Sequence, residues 1–259
     1  MTVKLSFGPF FFTLLIFFFI NRINNFFWNL NSCLFLLFSL FIFFYYLFLN
    51  FFMILKNENF LIGSFTKKKM DILTNGFLLF IISELIVFIS LFWRYIHNAY
   101  RPNIYMGNFW PPKGIIPANP TRIIIFGTSI LLSSSLVIIV SHNNFSKNFK
   151  IKSLYNLFFC IIIGLLFIDI QILEIRNYFI KLNFNFNDRI FSSSFLFTTS
   201  LHASHVVLGL IGLIITFFFF SFNNNNLFFF LNYEFRVWYW HFVDYIWIGV
   251  FTLFYYFNV

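Results

Sequence analysis

The sequence predicts an all-α, polytopic membrane protein with seven transmembrane helices, arranged as a single transmembrane domain over residues 1–259. Three observations carry that reading. The chain is 60% hydrophobic and only 10% charged, against about 45–50% apolar and about 25% charged residues in a soluble domain. Its apolar runs repeatedly reach the ~20 residues that a helix needs to cross the hydrocarbon. No run alternates with the period of two that marks a membrane barrel.

Polar punctuation sets the elements in order. The first predicted span, residues 6–20, is the shortest and ends at NRINN. The second, 31–55, is a Phe/Leu run closed by KNENFLIGSFTKKK, whose lysines suit a membrane surface. The third, 72–98, contains FIISELIVF and runs to His97; the Pro/Gly-rich NAYRPNIYMGNFWPPKGIIPANP that follows cannot continue a helix. The fourth, 121–141, stops at SHNNFSKNFK, the fifth, 153–180, at KLNFNFND, and the sixth, 190–221, at FNNNN. The seventh, 235–257, holds WYWHFVDYIW, where Trp238, Trp240 and Trp247 are expected to act as interfacial anchors.

An odd number of crossings puts the termini on opposite sides. The N-terminal side then carries Lys4, Lys56, Lys67, Lys68, Lys69, Lys147, Lys150, Lys152 and Arg236. The other side carries Arg22, Arg94, Arg101, Lys113, Arg122, Lys181 and Arg189. The basic excess favours an inside N-terminus. The net charge of +9 thus suits topology and anionic headgroups, and no nucleic-acid partner is expected. No internal repeat of the transporter kind is visible.

Phe contributes 49 residues, while Ala occurs only at Ala99, Ala118 and Ala203. Phe, Ile, Asn, Lys and Tyr share A/T-rich codons, so the bias points to an AT-rich organelle genome, with the Phe runs mostly as lipid-facing filler. The start MTVKLSFGPF has no Arg/Ser-rich transit segment, as organellar coding would require. Cys33 and Cys160 sit in apolar runs without a CxxC partner and read as buried free thiols.

Charges at membrane depth are costly, so each is a functional candidate whose partner should be named. Four of the eight acidic residues fall in predicted spans: Glu84, Asp169, Glu174 and Asp244. Glu84 must carry a proton or share a hydrogen bond. Gln171 and Glu174 share a helix face, with Arg176 beside them to snorkel and a basic group on another helix as a partner for Glu174. In LHASHVVLG, His202 and His205 are spaced to share a face. A metal site wants three or four ligands, so hydrogen bonds to other helices or to a carboxylate explain the pair better, and no metal is expected. His241 and Asp244 have the same spacing, and the aspartate is expected to accept from the ring in a helix-to-helix clamp. No phosphate loop, HExxH, GxSxG or di-iron ExxH motif occurs, so no catalytic residue is expected.

From about Gly63 to the C-terminus, the order and separations of ISE, FWPPKGIIPANP, LHASHVVLG and WYWHFVD with the following Trp247 closely resemble the cytochrome c oxidase subunit III family. The first two spans match it only in hydrophobicity. The resemblance implies a seven-helix core subunit of respiratory complex IV with a cleft between helices 1–2 and helices 3–7. It implies no redox centre in this chain: haem a, haem a3 and copper belong to partner subunits, and this chain holds structural phospholipids. Subunit I is the main partner implied, with other complex IV subunits beside it. The implied role is to stabilise subunit I and to support proton uptake as oxygen is reduced to water. The implied location is the mitochondrial inner membrane, with the N-terminus on the matrix side and the C-terminus on the intermembrane-space side.

Residue by residue, Glu84 matches the family's intramembrane carboxylate, His202 and His205 its HxxH, Gln171 and Glu174 its QxxE, His97 the end of its third helix, and His241 with Asp244 its final pair. Glu84 is expected to bond to His205 or His202. Where relatives often read GHHT this chain has GSFT at 63–66, so Lys56, Lys67, Lys68 and Lys69 are the lipid-headgroup candidates. Arg94 and Asp169 stand where the family is usually apolar. They are left to pair across helices, with each other or with Glu174 and Arg176, or with a further subunit. Two other readings compete: subunit III of a quinol oxidase, and a proton-coupled or lipid transporter, which would show broken helices near the midplane.

Overall fold

The computed structural model describes residues 67–102, 110–111, 122–181, 189–221 and 227–257. The predicted spans at 6–20 and 31–55, with Lys56, lie outside the described residues. What is described is all helical. α1 covers Lys67–Tyr100, α2 Arg122–Ser146, α3 Lys150–Lys181, α4 Arg189–Ser221 and α5 Leu227–Val250, which continues into a π-helical segment, Phe251–Tyr256. Four of these, α1 to α4, are long and apolar enough to cross a membrane. Each runs past its predicted span at one end or both, by one to five residues, because the helices extend past the hydrocarbon into the interfacial layers.

Antiparallel neighbours follow from the short turns. The turn between α2 and α3 is built by Asn148, whose φ of 61° lies in the left-handed region that Asn tolerates. Around it the Asn148 N–H donates to the Phe145 carbonyl at 2.9 Å and the Phe149 N–H to the Asn144 carbonyl at 2.9 Å. That double closure satisfies the last carbonyls of α2 and reverses the chain at once.

Small residues let α2 and α3 approach closely, as expected where no water drives helices together. Ser134 and Ser141 are fully buried on α2, facing Ser153 and Cys160 on α3. Ser141 Oγ donates to the Ser153 carbonyl at 2.7 Å, and Ser153 Oγ returns a bond to the Ser141 carbonyl at 2.9 Å. Tyr233 of α5 donates its hydroxyl to Ser141 Oγ at 2.8 Å, which ties three helices at one point.

α5 is the one described helix whose composition falls short of a spanning segment, and its surroundings explain why. It packs against α1, α2 and α4, and Tyr233, Trp240, Val243, Trp247 and Val250 are almost wholly buried. A helix shielded by other helices can carry Glu234, Arg236, His241 and Asp244 that lipid would reject. The indole of Trp240 fills the space left by two glycines: a Cβ on Gly164 would stand 3.0 Å from it, and one on Gly209 also 3.0 Å. Its Nε1 donates to Ser134 Oγ at 3.0 Å.

Two expectations are corrected here. Trp240 and Trp247 are core residues at 0% and 1% exposure, and only Trp238 is exposed as an interfacial anchor would be. Nor is Phe mere filler, since Phe88, Phe167, Phe191, Phe195 and Phe254 are fully buried and stack through the core. The alternating faces of long apolar helices look alike in a sequence this rich in aromatics, so burial was not legible from it.

Candidate functional site

Buried polar side chains gather at three stations: one where α1, α4 and α5 meet, one between α3 and the π-helical segment, and one on α5. The first joins α1, α4 and α5. Spacing of four and three residues turns Phe77, Ile81, Glu84 and Phe88 of α1 toward the bundle. There His205 Nε2 lies 3.5 Å from Glu84 Oε2, and His205 Nδ1 lies 2.7 Å from the Tyr239 hydroxyl. The first distance is within ion-pair reach and long for a hydrogen bond. With the carboxylate as acceptor the imidazole proton sits on Nε2, so Nδ1 takes the hydrogen of Tyr239. Phe88 and Phe242 close over the ring at 5.4 Å and 6.3 Å between centroids. Glu84 itself is half-buried, with its side chain 28% exposed.

One turn earlier on α4, His202 is fully buried and serves a different partner. Its Nε2 donates to the Val243 carbonyl of α5 at 3.3 Å. The ring also lies against Trp247 at 4.9 Å between centroids. The two histidines share a face, yet one clamps backbone and the other a side-chain pair. Among the described residues no group of three His, Cys, Asp or Glu side chains converges as metal ligands would.

The second station is a carboxylate held by hydroxyls. Glu174 Oε1 accepts from Tyr178 at 3.0 Å and from Tyr255 at 2.6 Å, while Gln171 Nε2 donates to Oε2 at 3.2 Å. The expected basic partner is therefore replaced by two phenols and an amide. Tyr255 arrives only because the π-helical segment after α5 turns it inward, a detour that i, i+3 and i, i+4 arithmetic does not contain. Arg176 is exposed.

The third station corrects the sequence reading. His241 Nδ1 is 3.9 Å from Asp244 Oδ2, beyond hydrogen-bond length, and neither oxygen of Asp244 has a partner although the residue is 4% exposed. The shared face is real, but no clamp forms, because the buried carboxyl stands inside the bundle while the ring stays partly exposed at 26%. Arg94 and Asp169 are both exposed, and neither enters an ion pair among the described residues. His97 is exposed near the end of α1, its ring 6.3 Å from Trp93. Lys67 and Lys68 are exposed at the start of α1. Sequence reasoning missed Tyr239, Tyr178, Tyr255, Ser134 and Ser141. Tyr178 alone carried a usable signal, four residues after Glu174 on the same face.

Comparison with known proteins places these stations in a familiar setting. A family model described as cytochrome c oxidase subunit III matches residues 2–259. The chain is 35% identical over 201 residues to a cytochrome c oxidase subunit 3 of Rhipicephalus sanguineus, covering 78% of this chain and 77% of that protein. It is 35% identical over 199 residues to the Schizophyllum commune protein of the same name, covering 77% and 73%. With the Drosophila melanogaster protein it shares 33% over 180 residues, or 70% and 67% of the two chains.

Proposed function

The chain belongs to the cytochrome c oxidase subunit III family, and from that premise we propose that its buried polar stations hold helices and lipid in place for an oxidase whose redox chemistry lies in other subunits. It is subunit III of complex IV, a membrane component that works in a complex with other oxidase subunits. The quinol oxidase reading is not favoured, since the relatives matched carry the cytochrome c oxidase name.

The chain has seven spans, with a phospholipid-holding cleft between the first two and the rest. Haem a, haem a3 and copper reside in the partner subunits, subunit I is the main contact, and the chain supports proton uptake there. It lies in the mitochondrial inner membrane with the N-terminus in the matrix and the C-terminus in the intermembrane space. Lys56, Lys67, Lys68 and Lys69 meet the phosphates of cleft lipids. Glu84, His202, His205, Gln171, Glu174, His241 and Asp244 form the intramembrane polar set. The observation that carries this reading is the Glu84–His205–Tyr239 contact, which joins α1 to α4 and α5. Glu84 and Tyr239 meet the two ring nitrogens of His205, and His202 donates from Nε2 to the Val243 carbonyl, contacts that orient both rings between helices.

Purification of the tagged chain in mild detergent tests the assignment: haem a and copper should co-purify, and their absence would overturn it. The role of Glu84 is tested by Glu84→Ala in the intact complex. The initial oxidase rate should remain near wild type while active lifetime shortens or lipid retention falls. Loss of haem from the complex would show that Glu84 serves assembly instead.

A further inference from the structure

A groove of about 360 Å³ runs along the outer face of the α2–α3 hairpin, lined by Leu136, Val137, Val140, Tyr155, Asn156 and Phe159. It is open along one side, and its walls are apolar apart from the amide of Asn156 and the hydroxyl of Tyr155. Directly beyond its end lies the turn, with Lys147, Lys150 and Lys152 within six residues and no acidic residue from 141 to 160. Glu234, which lies at this end of the bundle, faces His142 at 3.8 Å.

The turn has the composition of a segment that rests in the headgroup layer. Phe149 is 53% exposed and Ile151 87% exposed, interleaved with the lysines. Lys152 Nζ lies 5.3 Å from the centre of the Phe149 ring, which holds the ammonium at the surface beside the apolar anchor. Apolar residues lying flat among cations are what an anionic interface selects, and basic pockets between helices on the inner side of a membrane bind acidic lipid headgroups.

The vertical spacing fits as well. Asn156 is six residues from Lys150 along α3, or about 9 Å at 1.5 Å per residue. An interfacial layer is roughly 6 Å deep per leaflet, so a headgroup held at the lysines leaves Asn156 at the inner edge of that layer. The amide therefore stands where the ester carbonyls of a lipid end, and the apolar walls where its chain begins.

We propose that the α2–α3 groove binds one anionic phospholipid, with its phosphate at the Lys147–Lys152 turn, its ester region at Asn156 and an acyl chain along Val140 and Phe159. Its lining comes from α2 and α3, whereas Lys67 and Lys68 stand on α1, which packs on α4 and α5. The proposal rests on the membrane setting of the chain and uses the oxidase complex only as its carrier.

The test is photo-crosslinking in the purified complex reconstituted in phosphatidylcholine, with phosphatidylglycerol carrying a diazirine in one acyl chain as the probe. Labelling should map to peptides containing Val140 or Phe159, and the double variant Lys147→Gln/Lys152→Gln should weaken it about tenfold. Asn156→Leu, which keeps the lysines and the apolar walls, should weaken it less. All variants should retain haem and the wild-type oxidase rate, and Lys67→Gln/Lys68→Gln should leave this labelling unchanged. Equal labelling by a zwitterionic phosphatidylcholine probe, insensitive to the lysine pair, would reduce the groove to ordinary lipid contact and overturn the proposal. Crosslinking of a cysteine at Val140 to a protein neighbour in place of lipid would overturn it in favour of a partner helix. Failure of haem and copper to co-purify would instead strike the oxidase assignment, leaving the mapped labelling as a separate result.

Discussion

Tyr239 determines which nitrogen of His205 faces Glu84. Its hydroxyl reaches Nδ1 at 2.7 Å, so removing it frees the ring to turn and to exchange tautomers. Tyr239→Phe should lower the stability of the complex by about 1 kcal/mol, the ordinary net worth of one hydrogen bond. Thermal unfolding followed by haem absorbance measures this, and an unchanged midpoint would show that the ring is held by packing alone. Asp244 gives the opposite expectation. Its oxygens have no partner, and replacing a buried polar group that makes no bond can be neutral or stabilising. Asp244→Asn should therefore assemble normally with a stability within about 1 kcal/mol of wild type. A clamp to His241 would have predicted loss of assembly. Glu174 is the demanding carboxylate of the chain, because Tyr178, Tyr255 and Gln171 all donate to it. Glu174→Leu orphans three donors and should cost on the order of 3 kcal/mol, whereas Glu174→Gln, which keeps an acceptor, should cost less.

At the scale of elements, α5 is held by shape as much as by polar contacts. Trp240 lies between Gly164 of α3 and Gly209 of α4, so both helices depend on a missing Cβ. Gly164→Ala would bring its Cβ to 2.6 Å from Leu210 Cδ2 and 3.0 Å from the indole. The leucine can turn away; the indole, fixed by Ser134, cannot do so freely. Overpacking of this kind should cost about 1–3 kcal/mol, read as a lower yield of assembled complex and a lower unfolding temperature. The α2–α3 hairpin is bound differently, by paired serine-to-carbonyl bonds at Ser141 and Ser153. Neither device leaves a pattern in sequence: a glycine or serine in a membrane helix marks a close approach without naming what approaches.

At the scale of the molecule, the helix directions make a topological prediction. Phe77 of α1 stacks on Phe235, early in α5, and Phe92 meets Phe254 in the π-helical segment that continues α5, so α1 and α5 run parallel. α2 runs against them, since Ser141 near its end meets Tyr233 and Ser134 above it meets Trp240. The start of α1 and the α2–α3 turn therefore lie on one side of the membrane. Single cysteines at Lys68 and Lys147 should react together with an impermeant thiol reagent, from the same face of sealed membrane vesicles. Labelling from opposite faces would overturn this helix order.

Apolar runs of spanning length, polar punctuation and the order of ISE, LHASHVVLG and WYWHFVD determined by themselves that the chain is helical and membrane-embedded, and the family match over residues 2–259 agrees with them. They also marked Glu84, His205 and Glu174 as costly enough to need partners, because desolvation is a property of a residue and its depth. Which partners they take was decided only in the tertiary structure. Tyr239 comes from another helix, and Tyr255 is turned inward by a π-helical segment. Trp240 and Trp247 went to the core instead of the interface, since α5 is surrounded by other helices and its depth within the bundle is not a function of its own residues. Periodicity assigns a face to each side chain; only the packing of neighbouring helices determines whether that face meets lipid, a hydroxyl or nothing at all.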